Sequence, residues 1–70
     1  MTTPVPPDVL ARAAAILDSA RRDHVIATLL ECNEPEVVVR TAIVAVDLEG
    51  GNPRRAAAEL RRAAADAANL

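Results

Sequence analysis

Seventy residues with no Phe, Tyr or Trp, one Cys and one His leave room for one small domain. Neither a disulfide framework nor a Cys/His zinc site can be assembled within the chain from that complement. A net charge of −2, from eight Arg and no Lys against ten acids, argues against nucleic-acid binding on global electrostatics. The charge is uneven, since residues 52–70 carry four Arg against only Glu59 and Asp66.

Apolar residues make up 51% of the chain, but sixteen of them are Ala, which reduces the large side chains to eight Val, seven Leu, three Ile and Met1. Below about 70–80 residues a single core rarely supplies more than ~3–5 kcal/mol, and here the aromatic fillers are missing. The predicted fold class is all-α, a small bundle of three to four short helices completed by oligomerisation. The start MTTPVPPDVL has neither a basic n-region nor an apolar h-region, and no apolar run is long enough for a bilayer. With one Cys, which suits a reducing compartment, the expected location is the cytoplasm, with no membrane contact.

Residues 1–7 contain Pro4, Pro6 and Pro7 and are expected as a flexible Pro-rich arm, with 8–70 as a single helical domain. Asp8 is the candidate N-cap of a helix carrying Val9, Leu10, Ala13, Ile16, Leu17 and Ala20 on one face. Asp8–Arg12 and Asp18–Arg22 are spaced for i,i+4 pairing. The next apolar group, Val25, Ile26, Leu29, Leu30 and Cys32, falls almost half a turn away on the same wheel. A break across the polar stretch 18–23 explains the jump, with Ser19 as a cap for a second helix. The stretch contains neither Gly nor Pro, so one long two-faced helix is the alternative.

Asn33-Glu34-Pro35 reads as a capping residue followed by Pro in the first turn of a new helix. From Glu36 to Glu49 seven positions are β-branched, which by propensity alone suits a strand, but the Pro start and the Gly50 stop favour a helix. On a helical wheel Glu36, Arg40 and Asp47 fall within about 40°, and nearly all the remaining surface is apolar. Few short neighbours are available to cover such a helix. Val37, Val38, Thr41, Val44, Ala45 and Leu48 are therefore the candidate interface with a second copy or a larger partner protein. Were the segment a strand, it would need pairing from another chain all the same.

Asn52-Pro53 repeats the cap-plus-Pro start, opening a last helix with a thin apolar stripe at Ala56, Leu60, Ala63, Ala67 and Leu70. Arg55–Glu59 and Arg62–Asp66 are its i,i+4 pairs.

Catalytic groups are sparse. Ser19 and His24 lie about 140° apart around a helix, and His24 and Cys32 about 12 Å apart along one, so neither makes a local dyad or chelate. Cys32, beside Glu31 and Glu34 near a helix end, lacks the electropositive setting of a reactive thiol. Gly50-Gly51 lacks the Lys and spacing of a phosphate loop. No catalytic, metal or cofactor site is expected. The functional expectation is a small non-enzymatic interaction or regulatory module, dimerising or docking through its apolar central helix.

Gly50-Gly51-Asn52 followed by Arg55-Ala56-Ala57 and Leu60 resembles the opening of a Fis-type helix-turn-helix over about twelve residues. The family continues into a Gly-containing turn and a recognition helix, whereas here Arg61-Arg62-Ala63-Ala64 extends the same helix. The resemblance implies an alternative, a dimeric DNA-binding regulator contacting phosphates through Arg54, Arg55, Arg61 and Arg62.

Overall fold

The computed structural model describes residues 5–69 as four α-helices, with no strand among them. These are α1 (Pro7–Asp18), α2 (Val25–Glu31), α3 (Glu36–Leu48) and α4 (Pro53–Ala68), with a single 3₁₀ turn at Arg22–His24 leading into α2. The all-α expectation holds. Met1 to Pro4 of the expected arm and Leu70 of the α4 stripe lie outside the described residues.

Local chemistry sets most boundaries. Pro7 takes the first position of α1, where its missing N–H costs nothing, and Pro6 is the N-cap. The expected cap, Asp8, instead sits inside the first turn, where its charge still favours the helix N-terminus. Pro35 likewise caps α3 from outside the helix, in place of Asn33, and Pro53 opens α4. At α4 the expected cap forms: Asn52 Oδ1 accepts from the N–H groups of Arg54 and Arg55 at 3.1 and 3.2 Å.

The end of α3 decides helix over strand. Gly50 and Gly51 have φ of 66° and 86°, and their N–H groups donate to the carbonyls of Asp47 (3.2 Å) and Val46 (2.8 Å). That bond pair is a Schellman closure, which only a left-handed residue at the turn allows. Upstream, Val38, Ala42 and Val46 recur at helical spacing and are all buried. β-branched side chains are stiff but fit a helix in one rotamer, so burial outweighs their propensity.

The break after α1 is real, but Ser19 works differently from expectation. It ends α1, with its Oγ donating to the Ile16 carbonyl at 3.1 Å, and does not cap α2. Ala20 and Arg21 turn the chain, and the phase jump in the apolar pattern corresponds to this change of direction.

The core draws on every helix: Ala13, Ala14 and Leu17 of α1; Val25 and Leu29 of α2; Val38, Ala42 and Val46 of α3; Ala56, Ala57 and Leu60 of α4. α1 and α4 make the most extensive helix pairing. The fully buried alanines on both permit the close approach and limit what it contributes, since an Ala methyl buries little area. In α4 the burial is shifted from the expected stripe: Ala57 is buried, Ala63 is exposed and Ala67 half-buried. The Cα radius of gyration, 11.2 Å, matches the roughly 11 Å of a compact chain of this length. The chain is therefore compact as a monomer.

Leu17 and Leu29 are the largest fully buried side chains. Leu17→Ala is expected to cost about 2–5 kcal/mol, comparable to the whole stability of so small a core. Leu30→Ala, at a 72% exposed position, should change it by less than about 0.5 kcal/mol. Urea denaturation followed by circular dichroism compares the two; equal effects would contradict the assigned core.

Candidate association surface

Three charged ties run between elements of the bundle, two of them at the ends of α3. Arg12 Nε of α1 donates to both Glu34 oxygens at 3.0 and 3.1 Å, holding the turn before α3. Arg55 of α4 lies 3.6 Å from Glu49, at the other end of α3. Arg61 of α4 grips Asp18 of α1 in a two-point pair, with Nη1 donating to Oδ1 at 3.0 Å and Nη2 to Oδ2. Arg12, Arg55 and Arg61 thus bond across the fold, in place of the Asp8–Arg12, Asp18–Arg22, Arg55–Glu59 and Arg62–Asp66 pairs that spacing suggested. Among the described residues Glu36–Arg40, at 3.4 Å, is the one i,i+4 pair.

Held this way, α3 turns Val38, Ala42 and Val46 inward and leaves Val37, Val44 and Leu48 48%, 57% and 76% exposed. Thr41 and Ala45 are half-buried beside them. Five of the six expected interface residues therefore lie on or beside the outer face. Val38 is the correction: at 4% exposure it belongs to the monomer's own core and offers nothing to a partner.

Two grooves flank the exposed ridge. One, of about 310 Å³, lies towards α4 and is lined by Val5, Thr41, Ala45 and Leu60. The other, of about 480 Å³, lies towards α2 and includes Val25, Ile26 and Ile43. Val44 and Leu48 line both and so form the wall between them. Ile26, at 49% exposure, extends the apolar surface onto α2. Sequence periodicity missed it because it sits in the same apolar run as the buried Val25 and Leu29. The Thr41 hydroxyl donates to the Val37 carbonyl at 2.7 Å, so covering Thr41 leaves no unsatisfied hydroxyl.

The other singled-out residues are dispersed. Ser19 donates to its own helix, His24 is exposed at the start of α2 with Nε2 3.5 Å from Asp23, and Cys32 ends that helix with Sγ donating to the Leu29 carbonyl. Among the described residues no group of three or more His, Cys, Asp or Glu is placed to hold a metal ion, and no helix is long and apolar enough to cross a membrane.

Of the four arginines considered for phosphate contact, Arg55 and Arg61 are engaged with Glu49 and Asp18, while Arg54 and Arg62 are exposed. The helix they occupy runs unbroken from Pro53 to Ala68, leaving no recognition helix after a Fis-like turn within the described residues. Comparison with family models, curated proteins and solved structures finds no match for the chain.

Hydrogen bonds from Arg61 hold the Asp18 carboxyl below its ordinary value of 3.8, and Asp18 raises the Arg61 pKa in turn. A depressed carboxyl pKa gives stability that is present above the ordinary value and is lost as the pH falls through the folded one. Asp18→Asn should therefore lower the thermal midpoint slightly at pH 7 and match the parent once acid has protonated Asp18. Melts at the two pH values check this; a difference that persists in acid would contradict the tie.

Proposed function

We propose that this chain is a small protein-association module that docks another polypeptide on the outer face of α3. The observation that carries the reading is the exposure of Val37, Val44 and Leu48 along one face of a single helix, with Ile26 of α2 beside them. Covering Val44 and Leu48 alone removes two branched aliphatic side chains from water, and fully burying such a side chain is worth about 1.5–3 kcal/mol. Scattered single apolar residues on a surface need no explanation. A contiguous apolar ridge between two grooves, rimmed by Arg22, Arg40 and Asp47, is the pattern of an interaction site.

The rest of the surface suits a docking module better than a catalyst. Its nucleophilic and basic side chains are spread over separate ends of helices, and its arginines are partly spent in holding the bundle together. A regulatory or scaffolding role follows from what the docked partner does and not from chemistry at this surface.

A photo-reactive residue placed at position 48 is expected to form a covalent adduct with a polypeptide, whether the chain itself or another protein. The same residue at position 59, exposed on α4, serves as the control. Adducts from 48 in clear excess over 59 support the reading; equal yields from both positions would overturn it.

A further inference from the structure

Resting on that reading, we propose that the occupant of the α3 face is a second copy of the chain. Its α3 lies antiparallel to the first, with Arg40 of each copy paired to Asp47 of the other.

The exposed residues of α3 keep a heptad order. Val37, Thr41, Val44 and Leu48 are four, three and four residues apart, the alternation of d and a positions along a coiled-coil seam. In that frame Arg40 and Asp47 are both g positions, seven residues apart on the same flank and opposite in charge. The opposite flank, position e, holds Val38 and Ala45, which are buried and half-buried in the monomer.

Symmetry then separates the two ways of pairing α3 with itself. In a parallel pair the g flank of one helix faces the e flank of the other, so Arg40 and Asp47 would meet apolar residues. In an antiparallel pair the twofold axis brings g against g in reverse order, which sets Arg40 opposite Asp47 and repeats the contact on the symmetric side. The register that achieves this is the one that layers Val37 on Leu48 and Thr41 on Val44, each an a residue on a d residue. Apolar layers and charges thus ask for the same alignment. The charge pattern of the flank is its own complement, which a surface made for an unrelated partner has no reason to be.

Neither charge is committed elsewhere in a way that would block the pairing. Arg40 touches Glu36 at 3.4 Å with both side chains about four-fifths exposed, and Asp47 is exposed beside the ridge. Such flanking pairs contribute little individually and act mainly on orientation.

Sedimentation of the purified chain at low salt tests the proposal. A dimer is expected. Arg40→Asp and Asp47→Arg, each placing like charges opposite one another twice, should each weaken it roughly tenfold or more. The double variant Arg40→Asp/Asp47→Arg should recover affinity to within about threefold of the parent, which a merely structural role for either residue would not allow. In a Cys32→Ser background, mixed Val37→Cys and Leu48→Cys chains should form the 37–48 disulfide. Val37→Cys alone should not link to itself, because the two sites lie about 16 Å apart along the axis in this register.

A dimer indifferent to the charge reversals, or a 37–37 disulfide, would overturn the antiparallel pairing. A purely monomeric chain whose position-48 adduct is another protein would overturn self-association while leaving the docking reading intact.

Discussion

The small size of the side chains between α1 and α4 is the constraint on which the other features depend. Ala13 and Ala14 on one helix and Ala56 and Ala57 on the other are fully buried or nearly so, and they permit a close helix pairing. Close packing of this kind is dense but buries little area per residue. The larger fully or nearly buried side chains come from every helix: Leu17 of α1, Val25 and Leu29 of α2, Val38 and Val46 of α3, and Leu60 of α4. Val37, Val44 and Leu48 of α3 are left facing outward, while Val39 packs against the edge of the core. The chain has no aromatic residue, and among the described residues Val37, Val44 and Leu48 stay exposed.

The polar groups reinforce the same geometry from the edges. The Arg12–Glu34, Arg55–Glu49 and Arg61–Asp18 ties run between elements, so each fixes an orientation that the short apolar contacts leave loose. None is buried, and none contributes much stability alone. Their placement matters because rotating α3 by half a turn would bury Val37 and Val44 and expose Val38 and Val46. The ties at both ends of α3, together with the Schellman closure at Gly50 and Gly51, resist that rotation.

Punctuation was legible in the sequence because it acts over a few residues. Asn52 before Pro53, the Gly50 stop and the break after Asp18 all stand where local chemistry puts them. The outward ridge was legible in outline, since a helix apolar nearly all round must leave some face uncovered. Which face goes inward was not, because a wheel with one narrow polar stripe fits several rotations; hence Val38 was placed with the interface when the bundle buries it. Arginine partners were equally out of reach. Asp18 and Arg61 are 43 positions apart, and nothing local favours that pair over Asp18 and Arg22. Ser19 is ambiguous for a different reason: a hydroxyl donates backwards to close one helix, as here to the Ile16 carbonyl, as readily as it accepts to open the next.

If a second copy covers α3, its association stabilises the folded chain, and mass action reads that directly. For a protein stabilised by its own dimerisation the thermal midpoint rises with chain concentration, because association draws on the folded state alone. Melting curves of the purified chain over about a hundredfold range of concentration should show a steady rise, and Val44→Glu should flatten it. A midpoint that stays constant across the range, with full helicity at the lowest concentration, would mean that the monomer is complete by itself and that no second copy covers α3.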